Sequence, residues 1–169
     1  HYSTYSQYVI AFFMLLSGIS YVVYYYIFKF NFNKVMHNEE LWFYLIVSLI
    51  AGVTLTSIIF SITEKSFETA FREGFFQAIS LITTTGFITT NYLNWSPAGI
   101  IIVFFLLFAG ACTGSTTGGI KMARHLIVLK NIRNVFIRLV HPNAVYQIRL
   151  NDRPLSENTN ISILTFVVI

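Results

Sequence analysis

Residues 74–120 read GFFQAISLITTTGFITTNYLNWSPAGIIIVFFLLFAGACTGSTTGGI, a stretch without a single Asp, Glu, Lys or Arg. Within it lie two islands of small and hydroxyl-bearing residues, ITTTGF (82–87) and GACTGSTTGG (110–119), each set between strongly apolar runs. On a soluble protein such segments would be surface loops with backbone groups satisfied by water. Here the flanking runs leave little room for water, so both islands read as loops at membrane depth. Non-helical backbone is tolerated there only when it is packed in protein or lines a wet cavity. The stretch therefore predicts a pore, with the first island as its ion filter.

Composition agrees with that class. Of 169 residues, 55% are hydrophobic, 17% aromatic and only 11% charged, against about 25% charged in an ordinary soluble domain. The net charge of +4 is not spread along the chain: seven of the eleven Lys and Arg fall between Lys121 and Arg153. That clustering reads as a cytoplasmic face rather than a nucleic-acid surface. One cysteine, Cys112, leaves no internal disulfide. His37, His125 and His141 lack metal-ligand spacing, and the apolar spans contain no Asp, Glu or His for proton transfer. The expectation is a protein that is not an enzyme and carries no cofactor of its own.

Outward from the quoted stretch, Tyr8–Phe28 is an uncharged run of about the ~20 residues a membrane helix needs. Tyrosines flank it (Tyr2, Tyr5 and Tyr8; Tyr21, Tyr24, Tyr25 and Tyr26) in the pattern of an interfacial belt. Its small residues Ser17, Gly18 and Ser20 suit close helix packing. Lys29–Glu40 is a polar connection, and Leu41–Thr63 is a second span opened by Trp42, Phe43 and Tyr44. Glu64, Lys65, Glu68, Arg72 and Glu73 mark an aqueous boundary, and Ser66 can cap a half-helix over 66–82 that enters from the charged side. Gly86 turns the chain, residues 89–96 return to the same interface with Tyr92 and Trp95 as anchors, and Pro97 suits the first turn of the next helix.

The run 98–109 is too short to cross: twelve residues make about 18 Å of helix, and a span needs about 30 Å. The second island interrupts it, and an amphipathic, basic helix over 120–139 carries it out of the membrane until Pro142. Asn151-Asp152-Arg153-Pro154 reads as a turn between two short extended pieces, and 161–169 as the start of another span. Counting bases near the spans places loops 29–40 and 121–160 in the cytoplasm and loops 63–73 and 88–97 outside, so the filter faces outward. A chain that begins almost at one span and stops inside another predicts a piece of a longer multi-pass protein.

A helix, a half-helix, a Thr/Gly loop and a second helix form the unit from which cation channels are built. Backbone carbonyls replace the ion's hydration shell, and without carboxylates such a filter suits K⁺ or Na⁺ over Ca²⁺ or Mg²⁺. A capping turn between two helices is the alternative for 82–87, and a static kink the alternative for 110–119. GSTTGGIK (114–121) nearly matches a phosphate-binding loop, but its lysine is one place late, Met122 replaces the hydroxyl residue and no strand precedes it.

The filter island, GACTGSTTGGIKMAR (110–124) and HPNAVYQIRLNDRPLSE (141–157) together resemble the Trk/Ktr/HKT superfamily of K⁺ transporters, and within it the bacterial Trk potassium-uptake membrane subunits. The resemblance implies an all-α integral membrane protein, a helix–pore-loop–helix repeat of a K⁺-channel-like four-repeat pore. Residues 1–30 would be the second helix of the preceding repeat and 31–139 a complete repeat. That repeat divides into 41–63, first helix; 66–82, pore helix; 83–88, filter; and 97–139, broken second helix. Residues 140–160 would be a cytoplasmic linker and 161–169 the start of the next repeat. By the same resemblance Thr84, Thr85, Gly86 and Phe87 bind K⁺ through filter carbonyls. Gly110, Thr113, Gly114, Ser115, Thr116, Thr117, Gly118 and Gly119 belong to an intramembrane gate loop.

Lys121 is a charge at the cytoplasmic mouth, or one that snorkels to the interface. The basic helix 120–139 rests on anionic lipid or docks a cytosolic partner. The partners implied are membrane lipid, the remaining repeats of the same polypeptide, a second copy in a homodimer and a nucleotide-binding KTN/RCK-type regulatory subunit. The location implied is the inner membrane. The function implied is K⁺ uptake; an alternating-access secondary transporter, which also uses broken helices, is the competing reading.

Overall fold

The computed structural model describes residues 3–91, 95–140, 147–151 and 153–168. Of the residues given roles above, Tyr2, Tyr92, His141, Pro142, Asp152 and Ile169 lie outside these, as do residues 141–146 of the 141–157 motif.

Helix α1 spans Thr4–Ser17, started by the Ser3 hydroxyl accepting the Ser6 N–H at 3.2 Å. It then breaks. Helix α2, Tyr21–Phe28, begins after Ser20 at 93° to α1, so the single helix expected over 8–28 is two. Gly18 stands at the break, pressed against its neighbours. A Cβ there would lie 2.3 Å from the Tyr44 hydroxyl oxygen and 3.0 Å from the Ala111 Cβ. Two tyrosine hydroxyls cover carbonyls at the end of α1: Tyr44 donates to the Leu15 oxygen at 2.9 Å, and Tyr24 to the Leu16 oxygen at 2.6 Å. The small residues thus pack closely, as expected, but at a break between two helices instead of along one.

The connection after α2 holds a short helix, α3 (Phe32–Met36), where only a polar link is expected. Helix α4, Glu39–Ile62, is capped by Asn38, and among the described residues it is the helix long and apolar enough to cross a membrane alone. Its outer face exposes Ile46, Leu49, Ile50 and Val53. Helix α5 (Phe67–Ile82) starts at Ser66 and runs back along α4. Two glycines set that approach: a Cβ on Gly52 would sit 2.6 Å from the Phe75 ring, and one on Gly74 2.7 Å from the Thr56 backbone nitrogen. Helix α6 (Pro97–Phe108) has Pro97 in its first turn and the Ser96 hydroxyl on the Gly99 N–H. After the second island come α7 (Met122–Val140), a hairpin of β1 (Arg149–Leu150) and β2 (Arg153–Pro154), and α8 (Glu157–Val168). Asn151, at φ 49°, makes the turn of the hairpin.

The main core joins Tyr44, Ala51 and Leu55 of α4 to Ala78, Leu81 and Ile82 of α5, and to Val103, Ala111, Cys112 and Met122. The two islands thus hang from one packed centre. Polar clasps mark the two ends. At one, Lys130 Nζ meets Glu39 Oε2 at 2.6 Å and the Arg149 carbonyl at 2.7 Å, while Glu39 and Asn151 exchange hydrogen bonds. Burial works to raise the Glu39 carboxyl. The hydrogen bond from Lys130, the Asn151 N–H and the Lys130 charge outweigh it and hold the group below its ordinary value. This clasp joins the two loops that the charge count assigns to one side. At the other end Tyr8 donates to Glu68 at 2.9 Å and Arg72 to Gln7 at 2.6 Å, tying the starts of α1 and α5.

The α4–α5 contact yields a stability prediction. Gly74→Ala places a methyl group against backbone that cannot rotate away and should cost about 1–3 kcal/mol. Gly99→Ala, whose Cβ would meet the Trp95 Cβ at 3.2 Å, should cost less. Thermal unfolding of the full-length protein in detergent checks both; an equal Tm for the two variants would refute the assignment.

Candidate functional site

The first island is a turn wound tightly onto the end of α5. The N–H groups of Thr83, Thr84 and Thr85 donate to the carbonyls of Ile79, Leu81 and Ser80 at 2.9–3.0 Å. The Thr83 hydroxyl also bonds the Ile79 carbonyl at 2.7 Å and meets the Thr85 hydroxyl at 2.7 Å. The buried Ser80 hydroxyl reaches forward and donates to the Phe87 carbonyl at 2.7 Å, drawing the far side of the loop back onto the helix. The N–H groups of Thr84 and Thr85 are thus committed inward, and residues 84–87 are exposed.

Two residues of this turn are left-handed: Thr84 at φ 52° and Gly86 at φ 79°. For a β-branched residue that geometry is costly and persists only where surrounding structure enforces it. Gly86 differs from the packed glycines, because nothing lies within 4 Å of the position its Cβ would occupy. Its lack of a side chain answers the sign of φ and leaves open space on the exposed face.

The second island is closed at its neck by a short parallel bridge. Gly110 N–H donates to the Ile120 carbonyl at 2.8 Å, and Ile120 N–H to the Phe108 carbonyl at 3.0 Å. A Cβ on Gly110 would lie 2.2 Å from the Gly118 oxygen, so only glycine fits there. Inside the loop, Thr117 Oγ1 accepts the Ala111 N–H at 3.2 Å, and the Ser115 hydroxyl donates to the Cys112 carbonyl at 2.6 Å. The Lys121 ammonium turns back onto the carbonyl and hydroxyl of Thr117. Thr113, Gly114, Thr116, Gly118 and Gly119 stay exposed.

The loop is also stitched to its neighbours. Cys112 N–H donates to the Gly18 carbonyl at 3.0 Å, and Tyr21 N–H to the Gly114 carbonyl at 3.1 Å, so the break between α1 and α2 is filled by this island. Glu40 accepts from the Thr113 and Ala123 N–H groups. Sequence reasoning leaves Glu40 in a polar connection; nothing in its neighbours marks it as buried. The two islands meet each other as well: the Gly118 N–H donates to Thr84 Oγ1 at 2.7 Å. Among the described residues no group of His, Cys, Asp and Glu is placed to hold a resident metal ion.

A family model described as TrkH, a cation transport protein, matches residues 1–169. The Trk system potassium uptake protein TrkH of Salmonella typhimurium is 35% identical over 151 residues, covering 88% of this chain and 31% of that protein. The Trk system potassium uptake protein TrkH of Escherichia coli K12 is 34% identical over the same length and coverage. The crystal structure of the potassium transporter TrkH from Vibrio parahaemolyticus is similar with a TM-score of 0.90 at 25% identity, covering 99% of this chain and 37% of that one. The chain therefore spans about a third of the length of the relatives it matches. Its fold is that of an all-α membrane protein with a helix, a half-helix ending in a loop, and a broken helix.

The Ser80 tether can be tested on its own. Ser80→Ala removes one buried hydrogen bond, worth about 1 kcal/mol. It should speed amide exchange of residues 83–88 about fivefold while leaving α4 protected. Unchanged exchange would mean that the hydroxyl does not hold the loop.

Proposed function

The chain belongs to the TrkH family of cation transport proteins, and we propose that within the whole protein it supplies one wall of a K⁺ uptake pore together with the gate beneath it. Thr84, Thr85, Gly86 and Phe87 form a quarter of the filter, their oxygens standing in for the water an ion sheds on entry. The remaining repeats of the polypeptide complete the ring, since one loop encloses no axis. The protein sits in the inner membrane with the filter outward and the basic 121–160 side in the cytoplasm. It acts as a homodimer with a nucleotide-binding KTN/RCK-type regulatory subunit.

The observation that carries this reading is the hydrogen bond between the islands. A hydroxyl at the inner end of a carbonyl filter is a natural cation ligand. Here the Thr84 hydroxyl oxygen accepts the Gly118 N–H. A backbone donor, with its positive end at that oxygen, is where a cation would have to be. The 110–119 loop therefore obstructs the path by its bulk and by the sign of the dipole it presents. Ions pass when it withdraws. The Lys121 ammonium, 3.1 Å from Thr117 Oγ1, adds positive charge to the same obstruction.

Two substitutions test the two halves. Gly86→Ser in the full-length protein forces a side chain into a left-handed position and should lower the K⁺/Na⁺ uptake ratio about tenfold, or about 1.4 kcal/mol of discrimination. An unaltered ratio would refute the filter assignment. Deleting Gly114–Thr117 should raise K⁺ flux into proteoliposomes severalfold at an unchanged K⁺/Na⁺ ratio. Flux at or below that of the intact protein would refute the gate.

A further inference from the structure

Glu40 is 7% exposed, and among the described residues no Lys, Arg or His lies within ion-pair distance of it. A carboxylate in that position is expensive unless hydrogen bonds replace its water. One oxygen, Oε1, accepts the N–H of Thr113, inside the second island, and at 3.2 Å the N–H of Ala123, in the first turn of α7. The early N–H groups of a helix have no partner within it and carry its positive end, so α7 is a favourable donor to a negative charge. Glu40 itself sits in the first turn of α4, anchored by the Asn38 cap and by the paired Glu39 beside it. One helix thus presents one carboxylate oxygen to two points on either side of residues 114–122.

We propose that Glu40 is a positioning residue that latches the 110–119 loop in the conformation seen here. Its carboxylate is solvated by two backbone donors that are both present only while the loop lies in place. If Thr113 moves away, the carboxylate loses one of the donors that replace its water, and the loop conformation is favoured by that penalty. The latch acts at a different point of the loop from Thr84. Glu40 holds the entry to the loop and Thr84 touches its exit at Gly118, so neither contact substitutes for the other. The consequence for flux, and only that, rests on the gating reading above.

Cys112 provides a direct probe. It precedes Thr113, is 1% exposed, and is reached by a thiol reagent only if the loop leaves its seat. In the full-length protein with its other cysteines replaced, Glu40→Gln keeps the shape of the side chain and removes the charge that makes both bonds strong. It should raise the rate of Cys112 modification by a membrane-permeant maleimide about tenfold. Glu40→Ala should raise it further, and Glu40→Asp, one methylene short of its donors, should fall between wild type and Ala. The Gln variant keeps the test decisive if the Ala variant does not assemble. An unchanged modification rate in Glu40→Gln overturns the latch. K⁺ flux in the same variants reports on the other reading: faster modification with raised flux and an unchanged K⁺/Na⁺ ratio supports both. Faster modification at unchanged flux supports the latch and refutes the loop as the gate.

Discussion

Backbone that leaves helical geometry within an apolar setting has no water to satisfy it, and this chain meets that constraint with short-range hydroxyl chemistry. Ser80, Ser115 and Thr117 each place a side-chain oxygen on backbone groups of the irregular segments, and Thr83 returns its hydroxyl to the Ile79 carbonyl in the last turn of α5. An alanine or valine at Thr117 would take from the Ala111 N–H its acceptor, at a cost of roughly 1–3 kcal/mol. This accounts for the composition of the islands better than flexibility does. Their threonines and serines are internal solvent, and their glycines serve where a side chain is excluded by space, as at Gly110, or by the sign of φ, as at Gly114 and Gly119.

The same constraint explains why one broken helix entails another. The carbonyl of Gly18 and the N–H of Tyr21, freed where α1 ends and α2 begins, pair with Cys112 and Gly114. Each break supplies partners for the other, and both are covered by Tyr44, which is fully buried. The loop cannot leave its seat without exposing donors and acceptors on a neighbouring segment. Its position therefore depends on several segments besides its own: α4 through Glu40, the α1–α2 break through Gly18 and Tyr21, and the first island through Thr84.

Much of this was legible in the chain. The islands stand out because charge vanishes around them, and the cap Ser66 and the first-turn Pro97 announce their helices by residue type alone. Clustered bases brought loops 29–40 and 121–160 to one end, where Lys130 and Glu39 pair. The break at Gly18 was not legible. Tyr8–Phe28 carries an unbroken apolar signal, and the groups that fill the break, Tyr44, Cys112 and Gly114, lie far away in sequence. Glu40 was missed for a related reason. A glutamate beside another glutamate after a polar turn reads as solvated, and only the fold shows that one of the pair faces a lysine and the other two backbone donors. Local periodicity reports elements well, but it does not report which side of an element a distant loop will cover.

Thr84 joins these themes. Its left-handed backbone is unfavourable for a β-branched residue by about 1–3 kcal/mol, and its hydroxyl is held by the Gly118 N–H. That contact is one of the restraints keeping the first island in its present shape. A movement of Gly118 removes it, so the Thr84–Gly118 hydrogen bond links the geometry of the two islands. Such a link is reciprocal by thermodynamic necessity. On the proposed reading, an ion that draws the Thr84 oxygen toward itself weakens the hold on the loop by as much as the loop weakens the hold on the ion. Filter occupancy and gate position would then be two views of one equilibrium, with Glu40 setting its resting balance from outside the path.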